Sequence, residues 1–172
     1  MATIEPITLR IEISGNPHPQ PRPRFVKGQG VVSTIGPRVK RWRIALADAI
    51  HSAAADVGEA EVERLHNGAL ALELLFRIPA EAKRHDWIGQ HHHLRPDTDN
   101  LAKPVMDELQ AAHVLPDDGR IARLVVDKVW CHPRDAGCVI VLSGLKAPRV
   151  GRPPGSGKAP AWLADAETTT PP

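Results

Sequence analysis

Between Arg95 and Asp118 the chain spaces its carboxylates in a way that suits one kind of chemistry. Pro96 keeps Arg95 extended, so Asp97 and Asp99 are expected to project from one side of a short extended stretch at the mouth of a helix. Two ionised carboxylates in one site repel unless a divalent cation or a proton sits between them. Asp99, Lys103 and Asp107 then recur four residues apart, the spacing of one helical face. Asp117 and Asp118 follow that helix and precede the next apolar run, so a loop is expected to bring a third carboxylate back to the pair. Three or four hard oxygen ligands in a surface cleft suit magnesium, with manganese as a substitute. Such a site can cut a phosphodiester: the cation polarises the phosphoryl oxygen and acidifies a water, and the Lys103 ammonium neutralises developing charge.

The same residues have other uses. Aspartates at a helix start commonly cap free N–H groups and complement the helix dipole, and for Asp97 or Asp99 alone capping is the stronger reading. Asp97, Asp99 and Glu108 also fall at positions one, three and twelve of a calcium loop, but Leu101 and Ala102 stand where a ligand and the obligatory glycine belong. His91, His92 and His93 with Cys131, His132 and Cys138 show no paired zinc spacing, so they read as an exposed histidine loop and two ordinary cysteines. Trp42, Trp87 and Trp130 read as packing residues rather than base-stacking platforms.

A net charge of +2 conceals a segregation of signs. No acidic residue lies between Glu12 and Asp48, whereas Arg22, Arg24, Lys27, Arg38, Lys40, Arg41 and Arg43 all fall there. An anionic partner follows, nucleic acid first, with those seven residues as candidate phosphate contacts. Two cysteines are too few to staple a chain of 172 residues, and no signal-peptide pattern opens it, so a reducing cytoplasm is expected. No apolar run reaches the length of about twenty residues that crosses a bilayer.

The elements that must position these groups are legible in part. Ile7, Leu9, Ile11 and Ile13 alternate with polar residues and predict a strand over Ile7–Ser14. Prolines at 17, 19, 21 and 23 then impose an extended, water-exposed segment. A short hairpin is expected over Phe25–Ile35, turning at Gly28-Gln29-Gly30. An amphipathic helix over Arg38–Val57 carries Trp42, Leu46, Ala49, Ile50 and Ala53 on one face and cations at its start. Strands are expected at Ala69–Ile78, Ile121–Trp130 and Gly137–Leu145, with a surface loop over Pro79–Arg95. A second helix is expected from about Asn100 to His113; Pro104 removes a backbone hydrogen bond there, so its beginning should be irregular. The order gives an α+β domain over residues 1–145, a mixed sheet of four to five strands with two main helices. Residues 146–172, rich in proline and glycine, are expected to be a disordered tail with a weak likeness to a minor-groove hook.

Pro96-Asp97-Thr98-Asp99-Asn100-Leu101, Lys103, Asp107, Asp117-Asp118 and Lys128 together resemble the RusA endonucleases of phages and prophages. The proline-rich segment after a first strand extends the likeness over roughly residues 5–145. The resemblance implies a homodimer and magnesium-dependent paired incision of Holliday junctions in recombination and repair. It implies catalysis by Asp97, Asp99, Asp118 and Lys103, with metal on the three aspartates and Asp117 as a further candidate. Asn100, Asp107 and Lys128 would support them, and branched DNA would be the partner. The rival reading is a DNA-binding protein without catalysis, which binds in magnesium and never cuts.

Overall fold

The computed structural model describes residues 7–145 except 22, 23, 29, 33 and 34. The first strand, β1 (Thr8–Ser14), buries Leu9, Ile11 and Ile13 and exposes the residues between them, as its period-two pattern requires. The hairpin forms from β2 (Arg24–Val26) and β3 (Gly30–Val32) and stands apart as a two-stranded sheet. Helix α1 (Pro37–Val57) begins with proline at its first turn, where the missing N–H costs nothing, and buries Trp42, Leu46 and Ile50 at successive turns. A short helix, α2 (Glu59–Leu65), was not foreseen; Glu59 and Glu61 in its first turn and Arg64 in its last complement its dipole.

The main sheet is completed by β4 (Leu70–Pro79), β5 (Ile121–Cys131) and β6 (Gly137–Gly144), in the order β1-β6-β4-β5. β6 pairs antiparallel with β1 and β4, whereas β4 and β5 are parallel. That parallel pair needs a long crossover, and α3 (Thr98–Ala111) lies within it. The fold is therefore α+β with a four-stranded mixed sheet, as the order of elements indicated. α3 buries Leu101, Ala102, Val105 and Leu109, which join Leu46, Ile50, Leu72, Phe76 and Ile140 in one core. Truncating a side chain as enclosed as Leu46 or Leu109 to alanine typically costs about 2–5 kcal/mol.

Two readings are corrected. The histidine loop is not wholly exposed: His92 is buried, its ring 4.0 Å from that of Trp130, and its N–H donates to the Lys128 carbonyl at 2.8 Å. The aromatic wall of β5 and the free edge of that strand pull it in. The irregular start expected for the second helix is absent as well: α3 runs from Thr98 through Pro104. The backbone bond that Pro104 cannot make is replaced, because the orphaned Asn100 carbonyl accepts from the Gln20 N–H at 2.9 Å. Proline in the helix thus creates the acceptor on which the extended proline-rich segment docks. Residues 146–172 and Arg22 lie outside the described residues.

Candidate active site and DNA-facing surface

Strand directions place the site. The last residue of β1, Ser14, pairs with Gly137 at the start of β6, Gly137 pairs with Arg77 near the end of β4, and Arg77 pairs with Val129 near the end of β5. These residues share one end of the sheet. Lys128 of β5 donates from Nζ to the Leu94 carbonyl at 3.0 Å and the Pro96 carbonyl at 2.8 Å, pinning residues 94–96 to that end. Asp97 follows directly, as the N-cap residue of α3.

The capping reading does not account for Asp97, whose side chain makes no cap hydrogen bond and accepts instead from Asn100 Nδ2 at 3.3 Å. Asp97 and Asp99 are both exposed at the helix mouth, where the positive end of the dipole favours negative charge. Burial lowers the Lys128 ammonium below its ordinary value, and the Asp97 carboxylate beside it pulls the other way. One turn into α3, Lys103 Nζ meets Asp107 Oδ1 at 3.1 Å, so Asp107 steadies that cation on the face it shares with Asp99.

Asp118 is elsewhere. It opens a short 3-10 turn, Asp118–Arg120, immediately before β5, and Ile121 pairs with Leu70 at the opposite end of the sheet. α3 has 14 residues, which at 1.5 Å per residue sets its two ends about 20 Å apart. The loop expected to return the third carboxylate to the pair does not do so within one chain. Among the described residues no group of three or more His, Cys, Asp or Glu is placed to hold a metal. Asp117 caps the turn by accepting from the Gly119 N–H at 2.8 Å, and both it and Asp118 are exposed. Asp97 and Asp99 alone still fit magnesium, which is commonly held by one or two carboxylates with water and substrate phosphate in its remaining positions.

The candidate phosphate contacts divide. Lys27, Arg38, Lys40 and Arg41 are exposed, the last three in the first turns of α1, which carry no acidic residue. Arg43 is engaged: its Nε and Nη2 both reach Glu108 Oε1, at 2.8 and 2.7 Å, bracing α1 against α3. The Arg24 backbone lies in β2. Sequence reasoning missed the part of His18, which lies beside Arg38 and Arg41; burial and those two arginines lower its pKa. The Pro17–Pro21 stretch around it was the available signal.

Paired carboxylates at a helix mouth with cations around them suit metal-assisted chemistry on a phosphodiester. The family model described as Endodeoxyribonuclease RusA matches residues 14–136, more than two thirds of the chain. The chain belongs to the RusA endodeoxyribonuclease family. No curated protein matches it. Among the described residues no helix is long and apolar enough to cross a membrane.

Proposed function

We propose that this chain is a magnesium-dependent resolvase of four-way DNA junctions, acting as a homodimer in which each site takes Asp97 and Asp99 from one subunit and Asp118 from the other. The observation that carries this reading is the separation of Asp118 from the pair along α3, within a family of endodeoxyribonucleases. A four-way junction has two strands to cut at symmetry-related positions, which suits a two-fold dimer.

The edge of β5 supplies a fitting interface. Its outer side is covered from 128 to 130 by residues 89–92. On that outer side no strand pairs with residues 122–126 among the described residues, β4 lying on the inner side, and Leu124 and Val125 are 46 % and 41 % exposed. An unpaired, apolar edge is a template for another strand. Antiparallel pairing with a second β5, about a two-fold axis through Leu124 normal to the sheet, sets the two α3 helices antiparallel on the same face. Asp118 of the partner subunit then arrives beside Lys128 and Asp97.

In this arrangement Asp97 and Asp99 hold the cation and Lys128 fixes the arm that carries Asp97. When bound, magnesium supplies Lewis acidity to the scissile phosphate and to the attacking water. Lys103, steadied by Asp107, places an ammonium against the charge that grows on the phosphoryl oxygens. Lys27, Arg38, Lys40 and Arg41 hold flanking phosphates. The test is incubation with labelled four-way, three-way and linear DNA, with and without magnesium. Wild type should cut the four-way junction in magnesium alone, and Asp97→Asn should bind it and leave it whole. Binding by wild type without cutting in either magnesium or manganese would favour the non-catalytic reading.

A further inference from the structure

A cavity of about 430 Å³ opens between the end of β1 and the first turns of α1. Its walls include Ser14, Asn16, His18, Arg38, Arg41 and Trp42. Gly15 lets the chain enter it: at φ +124° it holds a conformation that side chains rarely adopt, and its N–H ties the turn to the Ala136 carbonyl at 2.9 Å. The volume lies within the range of about 300–1,000 Å³ typical of small-molecule sites, several times what one phosphate fills. Its chemistry is mixed rather than purely cationic. Two exposed guanidinium groups suit a phosphate. Asn16 and Ser14 offer both donors and acceptors, and Trp42, only 3 % exposed, gives an aromatic wall whose indole Nε1 has no hydrogen-bond partner among the described residues. No carboxylate lines it.

The place matters as much as the chemistry. The segment that leaves this cavity at His18 is tied two residues later, at Gln20, to the Asn100 carbonyl of α3, one residue from Asp99. The cavity and the carboxylates therefore lie along one path at the same end of the sheet.

We propose that this cavity receives a single unstacked nucleotide of the bound DNA, its phosphate on Arg38 and Arg41 and its base among Asn16, His18 and Trp42. The inference rests on the branched-DNA reading, because extruding a base is cheapest where stacking is already interrupted, as at a branch point. His18, whose pKa is lowered by burial and by the two arginines, is neutral at pH 7 and pairs with a base edge rather than adding a third cation.

Four-way junctions carrying 2-aminopurine, one site at a time, at each nucleotide flanking the crossover test this with wild-type protein at saturation in EDTA. Emission should rise at one position, reporting loss of stacking there. Ser14→Phe fills the cavity from an exposed strand end without removing a charge of the protein; it should abolish that rise. Arg38→Gln with Arg41→Gln should weaken binding and flatten the slope of log affinity against log salt by about two. Melting temperatures confirm that the variants fold. If no position brightens while wild type cuts the same junctions in magnesium, the nucleotide pocket is wrong and the nuclease reading stands. If Ser14→Phe brightens like wild type, the cavity is likewise not the site. Failure of wild type to bind or cut any junction would remove the reading beneath, and the pocket with it.

Discussion

Two variants that are each dead should revive one another if the site is shared between subunits. Asp97→Asn removes a ligand from the helix-mouth pair, and Asp118→Asn removes the carboxylate at the other end of α3. Oxygen ligands of one magnesium lie about 2.0–2.1 Å from it, so carboxylates that share the ion stand within about 4 Å of each other. The α3 span of about 20 Å is five times too wide. The β5 register agrees, since Ile121 and Lys128 are seven residues apart on one strand, about 23 Å. In a mixed dimer one site combines both substitutions and the other has every aspartate intact. With free exchange about half the dimers are mixed, so about a quarter of the wild-type number of sites is restored. The assay is nicking of a labelled four-way junction on a denaturing gel, after the two variants are mixed under subunit exchange. Nicks should appear at about a quarter of the wild-type level, with paired resolution scarce because each mixed dimer cuts one strand. A mixture no more active than either variant alone, with differently tagged subunits shown to co-purify, would refute the shared site.

Lys128→Met should cost several degrees of melting temperature and far more cutting than junction binding. It strips two charge-assisted hydrogen bonds from the Leu94 and Pro96 carbonyls, each worth about 1.5–3 kcal/mol, and frees the arm that carries Asp97. Burial, with Lys128 adding to it, lowers the His92 pKa, so the unfolded chain takes up that proton first as pH falls. Stability from this group is complete above about pH 6.5 and declines below it; thermal melts from pH 7 to 5 should fall more steeply for wild type than for His92→Phe. The Cys138 thiol, fully enclosed and pushed up to about 12 by burial, should resist a thiol reagent at pH 8 in the native protein and react at once in denaturant. Rapid native labelling of Cys138 would mean that β6 opens readily.

Much of the frame was legible because its signals are local. Ile7 to Ser14 alternate at period two, and Trp42, Leu46 and Ile50 recur at the helical period, so β1 and α1 emerged close to their observed bounds. The family motif, too, is a matter of short spacings. What the sequence hid depends on direction and on partners distant in the chain. Offsets of residues do not say which way a helix carries the chain, so Asp118 looked close to Asp97 when α3 separates them. Nothing around His92 announces the Trp130 ring that covers it, and nothing around Arg43 announces Glu108. Pro104 looked like a fault in a helix because the acceptor it releases is filled from residue 20.

That last bond orders events in time. Gln20 and Asn100 are 80 residues apart in the sequence, so the contact closes a long loop whose entropy is lost before the bond returns anything. A chain emerging from the ribosome holds the proline-rich segment for some eighty residues with no acceptor to receive it. Only when α3 has wound past Pro104 does the Asn100 carbonyl turn outward as a fixed acceptor. The Gln20 amide proton is thus a clock for maturation: its protection from exchange marks the moment at which the proline-rich arm and the carboxylate helix become one piece.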